Sequence, residues 1–344
     1  MPSTSRREFL AAVGATSLTG VAGCSVFGGG RPDVNTVSGL DEPTSRALDD
    51  EAVYLAGDTE ELPEPPKTAP AVAEADLVLA TPSADRASLG RALRAGKPVA
   101  FAAGGGVQRA LRGVLERVDG DYSFGVEAVR ARPVETVVAV PDGNDSVETY
   151  TFVDDGGWPD SVLTPLGWAL VGRVPECRTG MPASPADDQY DYAGAAHVVG
   201  RLDAGEAYAS RTVASVNDEE SDRFVRLRTT LHAAANDGYA VEVTAREADF
   251  PDDQRLASVY PNSHTRDGVQ VANVSDTTRS TFAVEATPTS DRARSALTAC
   301  GGLLTEGGLA YDHRTSFRWK RDTLLETDRH YATATGRGEW RLGA

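Results

Sequence analysis

Three short apolar runs, residues 52–56 (AVYLA), 77–81 (LVLAT) and 98–103 (PVAFAA), alternate with segments of helical pattern. That alternation constrains the fold more than any other feature of the chain. Runs this short and this continuously apolar suit strands buried on both faces. Between them, residues 69–75 have helical character, and residues 84–95 predict a helix with Ser83 as N-cap and Gly96 as its stop. After the third run, Val107, Ala110, Leu111, Val114, Leu115 and Val118 fall on one helical face. Strand and helix in strict alternation imply right-handed crossovers and a mostly parallel sheet covered by helices. Residues 134–140 and 148–153, joined by PDGNDS, predict a hairpin that closes or extends that sheet.

From about residue 195 the pattern changes to strands: 195–202, 207–216, 223–233, 239–245, 268–274, 280–286, 309–319 and 330–335. Val225, Leu227, Thr229 and Leu231 share one side, Asn236-Asp237-Gly238 is a turn, and Tyr239, Val241 and Val243 return, which predicts a hairpin whose first arm could also be a helix. One helix, residues 292–299 with Ser290 as N-cap, interrupts the series. The expected fold class is an α/β N-terminal domain with a mostly parallel sheet, then a β-rich domain that is α+β or sandwich-like. The corresponding segments are a signal at 1–24, a tether at 25–50, the α/β domain at 51–155, an irregular junction with Trp158 and Trp168 at 156–194, and the β-rich domain at 195–344.

The net charge is −17, from 51 Asp and Glu against 34 Lys and Arg, and lysine occurs only at 67, 97 and 320. This balance resembles haloarchaeal proteins, whose carboxylates hold hydrated cations in salt that shortens the Debye length to about 3 Å. The acids are scattered and form no block for a basic partner. Nucleic acid is disfavoured as a partner, because no basic stripe exists to neutralise phosphates.

The segment SRREFLAAVGATSLTGVAGC, residues 5–24, has Arg6 and Arg7 in S-R-R-x-F-L order, a short weakly apolar stretch, and Val21-Ala22-Gly23-Cys24 at its end. It resembles the leader of twin-arginine-exported lipoproteins; the other reading is an amphipathic N-terminal helix with a chance cysteine. The apolar stretch is too short for a stable membrane span of about 20 residues. The resemblance implies that the Tat translocase exports the chain and that Cys24 is lipidated, anchoring the protein to the extracellular face of the cell membrane. Two acyl chains give a durable anchor where one gives marginal binding. Residues 25–50, rich in Gly, Pro, Ser, Thr and Asp, then serve as the tether.

Residues 75–106 (ADLVLATPSADRASLGRALRAGKPVAFAAGGG) resemble the central unit of amidotransferase-like and flavodoxin-like domains. In the amidotransferase pattern the turn after the "GKPV" strand carries a nucleophilic cysteine. Here that place is Ala103-Gly104-Gly105-Gly106, without cysteine, serine or threonine. Gly104, Gly105 and Gly106 either offer backbone N–H groups to an anion or only permit a tight turn. G-x-G-x-x-G, the P-loop and the G-x-S-x-G elbow are absent.

Cys177 and Cys300 either form a disulfide in the oxidising exterior or remain separate thiols. His197, His232, His264, His313 and His330 stand singly, without zinc-ligand spacing, and no metal or cofactor is expected. Carboxylates are too abundant for any pair to signal a glycosidase. Asp142, Asn144 and Asp145 read as a solvated turn, and Asn144 and Asn273 as N-glycosylation acceptors. The sequence therefore points to a noncatalytic surface lipoprotein that binds a small ligand or an envelope protein. The competing expectation is a tethered enzyme using the turn at Gly104 to Gly106.

Overall fold

The computed structural model describes residues 48–118, 122–130, 133–142, 145–153, 162–170, 191–201, 207–219, 222–234, 240–249, 254–261, 269–271, 279–284, 292–303, 308–323 and 326–342. Arg6, Arg7 and Cys24, with the whole signal and most of the tether, lie outside them.

The three apolar runs form β1 (Val53–Ala56), β2 (Leu77–Ala80) and β3 (Val99–Ala102), which lie side by side and parallel. Every β2 residue is fully buried because both faces are covered. Val78 packs with Val99 and Phe101 under α1 (Arg86–Arg94) and α2 (Val107–Leu115), while Leu77 and Leu79 face the other core with Leu166 and Leu170 of α3 (Leu163–Leu170). Deleting one such side chain, Phe101→Ala for instance, removes roughly 3–5 kcal/mol. α1 starts at Asp85, whose carboxylate accepts from the N–H groups of Ala87 (3.2 Å) and Ser88 (3.0 Å).

The parallel arrangement stops there. β5 (Val134–Pro141) pairs antiparallel with β3, and β6 (Ser146–Val153) antiparallel with β5. The free edge of β6 is then shared by two strands. Ser146 and Val147 pair with Ser123 and Phe124 of β4 (Ser123–Arg130), whereas residues 149–153 pair with residues 196–200 of β7 (Asp191–Arg201). Beyond this point the sheet forks into two layers.

One layer continues from β7 through β8 (Ala207–Glu219), β9 (Asp222–Ala234) and β14 (Arg292–Leu303) to β11 (Gln254–Pro261). The other continues from β4 through β16 (Thr327–Arg341), β15 (Gly308–Asp322), β10 (Ala240–Asp249) and β13 (Arg279–Val284) to β12 (Val269–Val271). Ala196, Ala214, Val225 and Leu227 of the first layer pack on Leu309, Tyr311 and Trp340 of the second, so the layers form a sandwich with its own core.

Local chemistry explains the branch. Past Phe124, β4 no longer pairs with the β6 backbone, and its carbonyls need other donors. Two β6 threonines supply them: Thr149 Oγ1 donates to the Gly125 carbonyl at 2.5 Å and Thr151 Oγ1 to the Glu127 carbonyl at 3.3 Å. At the same junction Gly194 of β7 has φ +115°, and a Cβ there would sit 3.2 Å from the Val147 carbonyl oxygen. Only glycine takes that conformation and that proximity without strain.

The expected fold class, an α/β domain followed by a β-rich domain, is therefore corrected. The described residues hold sixteen strands in one mixed sheet and three α-helices. The helical segments around β1–β3 suggested a closed parallel unit, but β5 caps it antiparallel and β6 carries the sheet onward into the sandwich. β4 was not foreseen at all; its Phe124 and Val126 alternate with Gly125 and Glu127 in a stretch too short to stand out.

Four further expectations change. Residues 292–299 are part of β14, held between β9 and β11, so two ladders override a helical propensity. β9 and β10 do not pair with each other: β9 pairs with β8 and β14, and β10 with β15 and β13, while the expected turn Asn236-Asp237-Gly238 lies outside the described residues. Ser83 does not cap α1; its hydroxyl accepts from the Asp58 N–H at 3.1 Å and contacts Thr81 Oγ1 at 2.8 Å. Within residues 69–75 the helix shrinks to one 3-10 turn, Val72–Glu74.

Candidate functional site

The glycine turn lies at the C-terminal edge of β1–β3, where ligands of parallel sheets bind. β3 runs into Ala103 (φ 59°), Gly104 (φ 75°) and Gly106 (φ 96°), and Gly106 is the N-cap of α2 with no side-chain cap. Left-handed backbone explains Gly104 and Gly106, and a Cβ on Gly105 or Gly106 would meet no atom within 4 Å. A Cβ on Gly104 would lie 3.6 Å from Glu61 Oε2. Glu61 therefore places a carboxylate beside this turn, which disfavours an anion there. Next to it, Thr81 Oγ1 accepts from the Asp58 N–H at 2.9 Å, a contact that ties the exits of β1 and β2 together.

A second polar centre lies inside the sandwich, built from residues that the sequence reading did not bring together. Glu127 on β4 is 3% exposed. Its Oε1 accepts from the Tyr311 hydroxyl at 2.8 Å and its Oε2 lies 2.8 Å from His313 Nε2. Facing a carboxylate, that imidazole nitrogen is the donor. Tyr311 and His313 stand on β15 opposite Gly338 and Gly336 of β16, and a Cβ on either glycine would come within 2.6 Å of the facing ring. Gly125, opposite Trp340, makes the same allowance for the indole ring. Burial pushes the Tyr311 hydroxyl well above the usual tyrosine value, the Glu127 charge adds to this, and the Thr212 and Trp340 side chains act the other way. Thr212 in turn lies 3.0 Å from Thr229 Oγ1, so polar contacts run from the β8–β9 layer to β4 through Tyr311. The legible signal was spacing: an aromatic and a histidine at i and i+2 on one strand, and two glycines at i and i+2 on another.

A related group lies on the other face of β6. Glu148 accepts from Tyr150 (2.8 Å) and Tyr192 (2.7 Å), and its Oε2 is 3.6 Å from Nε2 of His197. The His197 ring is 5% exposed and stacks on Tyr150 with centroids 4.3 Å apart. Outside the sandwich, Arg112 of α2 pairs with Glu339 at 2.8 Å, Arg337 bridges Glu339 and Asp312, and Arg130 reaches Asp312 at 3.0 Å. This ladder clamps α2 to the sandwich.

Of the residues singled out in the sequence, the structure describes Gly104, Gly105 and Gly106 and places them in one turn. Cys300 lies on β14, with Cys177 outside the described residues, as are Asn144 and Asn273. Asp142 and Asp145 flank the β5–β6 connection, where the Asp142 N–H donates to the Ser146 carbonyl at 3.1 Å. Among the described residues no group of three or more His, Cys, Asp or Glu could hold a metal ion. No helix among them is long and apolar enough to cross a membrane.

No protein-family model matches the chain, and no curated protein matches it. Among solved structures, an uncharacterized protein from Nocardia farcinica described as having an immunoglobulin-like fold aligns with 31% of this chain and 76% of its own, at 12% identity and a TM-score of 0.20. That score is too low to carry an argument about this fold.

Proposed function

We propose that this protein is a lipid-anchored, noncatalytic binding protein on the extracellular face of a membrane in concentrated salt. The observation that carries the reading is the order Arg6-Arg7, short apolar stretch, Val21-Ala22-Gly23-Cys24, in a chain of net charge −17. The side-chain geometry supports the noncatalytic part. The carboxylates of Glu127 and Glu148 are each engaged by two neighbouring side chains, and the glycine turn stands beside Glu61. Buried side chains that satisfy one another in this way rigidify a framework.

Cell fractionation tests the proposal. The parent chain should sediment with membranes and be cleaved by protease added to intact cells, while Cys24→Ser should pass into the medium. Equal membrane retention of both would remove the anchor, and protection of the parent from external protease would remove the extracellular placement.

A further inference from the structure

Resting on the anchor at Cys24, we propose that the outer face of α1 and α2 docks on the phosphate headgroups of the membrane that holds the chain. The protein is acidic as a whole, yet residues 85–117 carry seven Lys and Arg against Asp85 and Glu116. No basic stripe stands out in the sequence, because two helices share these charges and only the fold brings them onto one surface. The helices touch at their glycines: a Cβ on Gly90 would lie 3.5 Å from the Arg117 Cβ, and one on Gly113 would lie 2.7 Å from Arg86 Nη1. Across the same seam Arg94 Nη1 donates to the Arg117 carbonyl at 3.1 Å. Arg91, Arg94, Arg109 and Arg117 are exposed, and Arg86 is half-buried between the helices. Arg112 is taken by Glu339, and Asp85 caps α1. The guanidinium groups of Arg86, Arg91, Arg109 and Arg117, by contrast, have no ion-pair or hydrogen-bond partner among the described residues.

Charge and chain length select lipid phosphate as the occupant. A guanidinium fork binds phosphate through two parallel hydrogen bonds. Multimolar salt erases the long-range field of a basic face, so contact pairs of this kind carry the attraction. The anchor supplies the rest, because a body tied to a surface meets its headgroups at an effective concentration in the millimolar range and a weak face suffices to orient it. Leu48 packs on the side of β1–β3 opposite α1 and α2. Residues 25–47 span at most about 80 Å when extended, against layers about 10 Å thick, so the α1–α2 face lies within reach of the membrane. Next to Leu48 stand Asp49, Asp50 and Glu51, which an anionic surface repels, so that side of the body turns outward.

Phenylglyoxal footprinting of the full chain tests the docking face. An N-terminal hexahistidine tag on a nickel-chelating lipid holds the uncleaved chain to vesicles whether or not cells acylate Cys24, so the face and the anchor fail independently. Vesicles of phosphatidylglycerol are compared with vesicles of digalactosyldiacylglycerol, a bilayer lipid without phosphate, in multimolar sodium chloride, and single-hit modification of arginine is read by peptide mass mapping. Arg91, Arg109 and Arg117 should react at least about five-fold more slowly on phosphatidylglycerol, the factor for one arginine at an anionic surface. Arg314, Arg329 and Arg341, exposed on β15 and β16, should react at the same rate on both. Equal rates at Arg91, Arg109 and Arg117 on the two lipids, equal slowing at all six arginines, or stronger protection of the three by duplex DNA at the same phosphate concentration would each overturn the proposal.

Discussion

Replacing Glu127 by alanine removes the acceptor for two donors in the sandwich core, and the structure sets the size of the effect. The Tyr311 hydroxyl, in a residue 6% exposed, loses its 2.8 Å partner. A buried polar group left unsatisfied costs about 1–3 kcal/mol. The His313 arm contributes less, because that side chain is 26% exposed and water can replace the carboxylate. A methyl group in place of the carboxylate also leaves a cavity, and the total comes to about 2–4 kcal/mol. Glu127→Gln keeps one oxygen for Tyr311 and should cost about 1–2 kcal/mol. Pairing Glu127→Leu with Tyr311→Phe should cost about 1–3 kcal/mol less than the two single changes added. Urea unfolding followed by tryptophan fluorescence in a fixed high-salt buffer measures all five variants. If Glu127→Ala falls within about 0.5 kcal/mol of the parent, or the double change is additive, the network does not hold the layers together.

Other consequences can be checked separately. Tyr311 keeps its proton in the folded state above the value near 10 at which the unfolded chain loses it, so its contribution to stability is complete below that value and falls as pH rises beyond it. Unfolding free energies from urea titrations between pH 9 and 11 should decline by a slope of at most about 1.4 kcal/mol per pH unit from this group, and Tyr311→Phe should flatten that decline. Gly338→Ala places a Cβ 2.5 Å from the Tyr311 ring and Gly125→Ala one 2.5 Å from the Trp340 ring, so each should cost about 1–3 kcal/mol or more, while Gly105→Ala, with open space around it, should stay within about 0.5 kcal/mol. Thermal melts of the three variants decide between these outcomes. Exchanging Arg6 and Arg7 for lysine should hold the precursor inside the cell, as read by immunoblot of cell and medium fractions; normal export would exclude the twin-arginine route.

The legible parts of the chain were those whose local pattern and final surroundings agree. LVLA and VAFA are apolar at every position because both faces of β2 and β3 are covered, and the 3.6-residue stripe of α2 meets one core. The fork was not legible, because it depends on which strand takes each half of the β6 edge, and no window of sequence holds Thr149, Thr151 and Gly194 together. Residues 292–299 failed for a related reason: alanine and arginine favour a helix in isolation, and two neighbouring ladders decide otherwise. Glu127 joins Tyr311 and His313 across more than 180 residues, so pairing of β4 with β16 had to be known first. The glycine turn was visible as a turn, but the carboxylate beside it comes from Glu61, which nothing in the local motif announces.

The anchor at Cys24 is the claim on which the assigned habitat rests, and mass spectrometry of the intact protein from the native membrane fraction tests it most directly. The account predicts a chain that begins at Cys24, lacks residues 1–23 and carries the added mass of a diacylglyceryl group on that cysteine. A full-length chain with an unmodified Cys24, recovered from the cytosol, would contradict it.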